Sequence, residues 1–96
     1  PYLVTADEIP DVTQLRLKTF VNDELRQDAV VADLIFDIPF LIATMSATTT
    51  LLPGDIIATG TPAGVGIGFT PPKYLYAGDR VRITIDGLGE LANPVS

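Results

Sequence analysis

The sequence predicts an α+β chain that is mainly β, with one short helix. Three observations predict it: an apolar/polar alternation of period two over residues 15–21, one apolar stretch with a helix-capping start at residue 37, and a Gly-Asp turn that twice introduces a β-like run. Ahead of these, residues 2–5 form a short β-like run, and residues 6–13 read as an acidic, proline-bearing loop.

Leu15, Leu17, Thr19 and Val21 alternate with Arg16, Lys18 and Phe20, the period of a half-buried strand. Asn22-Asp23 follows, a pair that tolerates the positive φ angles of a tight hairpin turn. The return strand is expected from Glu24 to about Asp28. Asp37 can cap a helix over residues 38–46, with Pro39 tolerated in its first turn. Leu34, Ile35, Ile38, Leu41, Ile42 and Met45 are expected to be core.

Leu52-Pro53-Gly54-Asp55 then reads as a turn feeding a buried strand over residues 56–59. The unit recurs: Pro53-Gly54-Asp55-Ile56-Ile57 matches Ala77-Gly78-Asp79-Arg80-Val81, 24 residues later. Two instances do not make a solenoid, so Asp55 and Asp79 are expected to stabilise turns. Residues 80–85, the turn Asp86-Gly87 and residues 89–95 make a second hairpin.

Composition narrows the function. A 96-residue chain forms one domain at most, and at this size folding buries roughly 60–65% of the unfolded surface, which is marginal for a lone unit. Yet 47% of the residues are apolar, which calls for a core and argues against disorder. A fragment or an oligomer is the expectation, and the absence of an initial Met points to processing or truncation. The net charge of −6 repels phosphate backbones and disfavours nucleic acid as a partner. Arg16/Lys18 and Arg80/Arg82, each two apart, would share a solvated strand face.

With no cysteine and no histidine, disulfides, thiolate nucleophiles, the usual zinc sites and histidine-based triads are excluded within this sequence. Cysteine absence is compatible with the cytoplasm, the expected location. No transmembrane span or signal peptide is visible, so no membrane partner is expected.

The densest signal is residues 59–68, TGTPAGVGIG, with four glycines and a proline directly after the expected strand. Glycine lets backbone N–H groups approach a ligand, and threonine hydroxyls can donate to a carboxylate. A small anion is the natural guest; the plain alternative is a glycine-rich tight connection. A dinucleotide fingerprint needs a helix opening within the glycine run, which Thr70-Pro71-Pro72 cannot continue. A phosphate-binding P-loop needs Gly-Lys-Ser/Thr, and the run has no lysine.

The segments VNDELRQ (21–27), DLIF (33–36), LPGDIIATGTPAGVG (52–66), LYAGDRV (75–81) and LGELANPV (88–95), in this order and spacing, resemble the carboxyl-terminal half of fumarylacetoacetate hydrolase family enzymes. PYLVT (1–5) resembles the strand just before it. The resemblance implies that residues 1–96 are the carboxyl-terminal portion of a single catalytic domain, a mixed, mainly β sandwich or roll of that family's type. It implies an Mg²⁺ or Mn²⁺ site that binds the carboxylate and adjacent keto or enol oxygen of a 2-oxo acid. Hydrolysis, decarboxylation, hydration or isomerisation of 2-oxo, 2-hydroxydienoic or acylpyruvate-type acids would follow, in a homodimer.

Thr61 matches the family threonine that binds the substrate carboxylate, with the Gly60 backbone beside it and Thr59 as a neighbour. The family's three metal-binding carboxylates and its lysine lie upstream of the matched segment, so neither metal ligands nor catalytic residues are expected in this chain, and an amino-terminal half is an expected partner. Asp33 and Asp37 could share a helical face, but two carboxylates hold a hard cation poorly; capping and solvent exposure are the expectation for both. The sequence departs from the family pattern at Asp23 (usually glycine), Val30-Val31 (usually polar) and Tyr76 (often basic). The rival reading is a non-catalytic β module that associates through its apolar surface.

Overall fold

A computed structural model describes residues 3–96. Two antiparallel hairpins join into one four-stranded sheet. The first hairpin is β1 (Arg16–Val21) and β2 (Glu24–Val30); the second is β3 (Arg80–Ile85) and β4 (Gly89–Pro94). The strand order is β2-β1-β3-β4, and every pairing is antiparallel. Among the described residues, one α-helix, α1 (Ile38–Ser46), and short 3₁₀ turns complete the regular structure. The chain is mainly β with one helix, as expected. No helix among the described residues is long and apolar enough to cross a membrane.

The alternation in β1 sorts the sheet faces. Leu17, Thr19 and Val21 lie opposite Ile85, Ile83 and Val81, so one face is apolar. Val21 is the buried hydrophobic residue of this face, at 8% exposure. On the other face Phe20 lies opposite Arg82, whose guanidinium sits 4.0 Å above the ring centroid and pairs with Glu90 at 3.2 Å. Arg16 binds Asp28 through two bonds of 2.6 and 2.8 Å. Of the paired cations on this face, Arg16 and Arg82 are thus ordered by carboxylate and ring partners.

Asn22 takes the positive φ that the first turn requires (+55°) and does more than turn. Its side chain donates to Asp79 Oδ1 at 3.0 Å and accepts from the Arg80 N–H at 3.0 Å. The turn of one hairpin is thereby bonded to the entrance of the other. The two Gly-Asp turns are built alike. Asp55 Oδ2 accepts from the Leu52 N–H at 2.8 Å, and Asp79 Oδ2 accepts from the Tyr76 N–H at 2.9 Å. In each, the aspartate N–H returns a bond of 3.0 Å to the carbonyl of that same residue. Gly54 and Gly78, at φ +98° and +93°, supply the left-handed residue between them.

Asp37 caps α1 as expected, accepting from the Phe40 N–H at 2.8 Å. Two other expectations are corrected. Residues 56–59 are not a strand but irregular backbone, with Ile56 95% exposed, because no strand among the described residues lies alongside to pair with them. The apolar set around α1 is not a closed core either. Leu34, Ile38 and Leu41 are half-buried, while Ile35 is 92% exposed and Ile42 and Met45 stand open. Nothing among the described residues packs over that side of the helix. For the β-like run of residues 2–5, the first residue lies outside the described residues, and the rest is irregular.

The chain therefore exposes more than its size requires. Its accessible surface is 7443 Å², against about 5,300 Å² for a compact monomer of its 10.2 kDa mass. Its radius of gyration is 15.4 Å, against about 12.5 Å for a compact domain of this length.

Two predictions follow from these contacts. Hydrogen bonding holds three carboxyls below their ordinary range: Arg16 acts on Asp28, Lys73 on Glu24, and the Tyr76 N–H with Asn22 on Asp79. The unfolded chain then binds more protons in acid, so their stabilisation is complete above the ordinary values of 3.8 and 4.5 and is lost as pH falls through the lower folded values. Thermal melts should decline below about pH 4, and Asp79→Asn should shallow that decline; an unaltered acid limb would show that Asp79 is not linked to folding. The second concerns glycines. A Cβ on Gly64 would lie 1.9 Å from the Arg26 carbonyl oxygen, whereas one on Gly54 would meet nothing within 4 Å. Gly64→Ala should cost at least about 2 kcal/mol in urea unfolding and Gly54→Ala about 1 kcal/mol, since only the first adds a backbone collision to the positive-φ strain.

Candidate functional site

The glycine-rich loop is seated on β2 at an irregularity. Between Thr19/Phe20 the register of β1 against β2 slips by one, so that Thr19 faces Gln27 while Phe20 faces Leu25. Arg26 is the extra residue of this β-bulge. A bulge leaves a backbone group unpaired and re-aims the neighbouring side chains. Here the loop uses both effects: Gly64, at φ +105°, packs where only a glycine fits against the Arg26 carbonyl, and Gln27 reaches into the loop.

The Gln27 amide nitrogen donates to Thr61 Oγ1 at 2.8 Å and to the Pro62 carbonyl at 3.0 Å. Residues 56–64 make no backbone–backbone hydrogen bonds among the described residues. The threonine segment is thus tied down by one side chain rather than by a ladder. Beyond it, Gly66 lies against the Lys73 carbonyl and accepts from the Lys73 N–H at 2.9 Å, closing the loop at a short 3₁₀ turn, Gly66–Gly68. No α-helix opens in the glycine run.

Of the residues singled out from sequence, Thr61 is exposed at this seat and Gly60 precedes it at φ +93° with open space where a side chain would be. Thr59 is exposed and makes no side-chain hydrogen bond among the described residues. Gln27 and the bulge at Arg26 were not singled out. The pattern VNDELRQ contains both, but a bulge leaves no period in the sequence, so the register that brings Gln27 under Thr61 is visible only once the strands are paired.

Next to the loop, two cations lie over Phe69: the Arg26 guanidinium at 5.3 Å and Lys73 Nζ at 4.8 Å from its centroid. Both pair with Glu24. Arg26 Nε lies 3.2 Å from Glu24 Oε2, close enough for charge pairing but out of line for a hydrogen bond, and this buried nitrogen has no acceptor. This cluster braces the loop from the sheet side.

Among the described residues no group of three or more Asp, Glu, His or Cys side chains converges. Asp37 caps α1, while Asp33 accepts from the Val30 N–H at 3.1 Å in a separate 3₁₀ turn. The residues present therefore do not fit a divalent-cation centre within this chain.

Comparison with known proteins agrees with the sequence motifs. The family profile described as "Fumarylacetoacetate (FAA) hydrolase C-terminal" matches residues 1–96. The chain is 54% identical over 95 residues to oxaloacetate tautomerase YisK of Bacillus subtilis, a match covering 99% of this chain and 32% of that protein. Among solved structures, maleylpyruvate hydrolase from Sphingobium sp. SYK-6, in complex with manganese (II) ion and pyruvate, superposes with a TM-score of 0.85 at 53% identity, over 96% of this chain and 32% of that one. Fumarylacetoacetate hydrolase from Exiguobacterium antarcticum does so with a TM-score of 0.91 at 43% identity, over 96% and 33%. The chain spans about a third of the length of the relatives it matches. The sheet, the loop and the full-length match agree: the chain belongs to the fumarylacetoacetate hydrolase family, in the carboxyl-terminal part of its enzymes.

Proposed function

We propose that this chain is the carboxyl-terminal portion of one catalytic domain of an enzyme acting on acylpyruvate-type 2-oxo acids, and that its loop holds the substrate carboxylate. The observation that carries the reading is the exposed Thr61 on a loop seated at the β2 bulge, in a chain whose relatives include a tautomerase and a hydrolase of 2-oxo acids. These two reactions share a chemical core. Each develops enolate character beside a carboxylate that must be held still while a proton moves or a C–C bond breaks. Thr61 would donate to that carboxylate, the Gly60 backbone would lie alongside without Cβ interference, and Thr59 would be a more distant neighbour.

A divalent metal, Mg²⁺ or Mn²⁺, belongs to the proposal only as a group held by residues outside this chain, because the acids here do not converge. An amino-terminal portion would supply it together with the acid–base groups, and a homodimer in the cytoplasm is the proposed setting. The surface excess of about 2,100 Å² over a compact monomer supports a partner, since obligate interfaces bury areas of this order. Whether the complete enzyme hydrolyses, decarboxylates or isomerises would be set by those upstream groups.

The same exposed surface favours a second reading, a non-catalytic module that self-associates. Its Ile35 and Ile56 side chains, more than nine-tenths exposed, are the observation for it. Sedimentation separates the two: self-association of the chain, with no assembly on an amino-terminal portion, would favour the module.

Two outcomes test the enzymatic reading. In the complete enzyme Thr61→Ala should weaken pyruvate binding by about 1–3 kcal/mol, the worth of a charge-assisted hydrogen bond; unchanged binding and turnover would remove Thr61 from the site. Calorimetric titration of the 96-residue chain with Mn²⁺ and oxalate should show no saturable heat. Metal-dependent binding there would mean that these residues hold the ion after all.

A further inference from the structure

We infer that Gln27 is a positioning residue that fixes the Thr61 hydroxyl as an outward hydrogen-bond donor. The inference rests on the reading of Thr61 as the carboxylate anchor and extends it to a residue on another element.

The geometry carries the assignment. The Pro62 carbonyl can only accept, so the Gln27 group 3.0 Å from it must be the amide NH₂ and not the amide oxygen. That NH₂ has two hydrogens. One goes to Pro62; the other goes to Thr61 Oγ1 at 2.8 Å, which therefore accepts. A threonine hydroxyl carries a single hydrogen, and with Gln27 filling one lone pair that hydrogen is left to point away from β2. Thr61 is an exposed residue. The hydroxyl thus meets an incoming carboxylate as a donor with its orientation already set. An unfixed hydroxyl would have to choose among rotamers and local acceptors at the moment of binding.

The position of Gln27 is as specific as its chemistry. It follows the extra residue of the bulge and shares a sheet face with Thr19. Its chain stem lies 3.0 Å from where a Cβ on Gly64 would stand, so the loop's close approach and the hydrogen bond depend on the same register. Among the described residues no backbone ladder substitutes for it over residues 56–64.

The test compares three variants of the complete enzyme: Thr61→Ala, Gln27→Met, which keeps the shape without hydrogen bonding, and Gln27→Glu, whose carboxylate can only accept and draws the Thr61 hydrogen inward. The probe is pyruvate with Mn²⁺, titrated by calorimetry, together with KM and kcat for the enzyme's own substrate. Gln27→Glu should weaken pyruvate binding about 10- to 100-fold and raise KM more than it lowers kcat, and Gln27→Met should weaken binding about three- to tenfold. Relative to the parent at each pH, the Gln27→Glu defect should shrink towards about pH 4, where the introduced carboxyl regains a proton to donate. In the Thr61→Ala background, Gln27→Glu should cause no further loss. If simple repulsion by the new charge were responsible, that loss would persist, and the inference would be overturned. It is also overturned if both Gln27 variants melt lower but bind pyruvate like the parent while Thr61→Ala binds weakly, since Gln27 would then be only a structural support. If Thr61→Ala itself binds normally, the anchor reading fails, and this inference falls with it.

Discussion

The pairing of β1 with β3 is the constraint on which the rest of this structure depends. It joins residues 60 to 68 positions apart, brings Val21 opposite Val81, and makes one sheet of two hairpins. Either hairpin alone would be marginal in water. Asn22 reinforces the junction from the turn, because its side chain bonds the entrance of β3 at both Asp79 and Arg80. A hairpin turn and a Gly-Asp turn far apart in sequence thereby become one corner, with the left-handed φ of Asn22 aiming its amide there.

From that corner the sheet carries the loop. β2 can be bulged because β1 is held firmly on its other side, and the bulge makes room for Gly64 over the Arg26 carbonyl. Among the described residues the threonine segment is then hydrogen-bonded through the Gln27 side chain rather than a ladder. Such a loop can present donor groups to a ligand, since its own backbone groups are not consumed by a ladder. Phe69 in contact with Arg26 and Lys73, with Glu24 pairing both cations, adds stiffness next to it. The Lys73–Glu24 pair is exposed, so its net worth is small, whereas the Arg26 side chain is largely buried; together they choose one orientation for the strand end.

The surface tells a different story from the sheet. A helix that is apolar on most sides is one built to be enclosed, yet Phe36, Phe40, Ile42 and Met45 stand open, and Phe36 and Phe40 stack on one another at 4.9 Å. Ile56 stands at the head of a stretch with β-like composition and no partner strand among the described residues. Both features match a chain that spans about a third of its relatives' length. The sheet corner is satisfied by its own hydrogen bonds, while the helix and the 56–59 stretch present apolar side chains that nothing among the described residues covers.

The sequence by itself determined what depends on neighbours a few residues away. The period in residues 15–21, the Asn22 turn, the Asp37 cap and the twin Gly-Asp turns all follow from local sterics and short-range hydrogen bonds, and each stands where its residues indicate. The family was legible for a related reason: a loop of glycines and threonines between two such turns is a local pattern. Three things were decided only by tertiary structure. The bulge at Arg26 is a mismatch between two strands, which neither strand's sequence encodes alone. The bond from Gln27 to Thr61 spans 34 positions and exists only after that mismatch sets the register. The exposure of Ile35, Ile42 and Ile56 was misjudged because apolar character states a need for burial, and only the packed chain shows whether a covering surface is present to meet it.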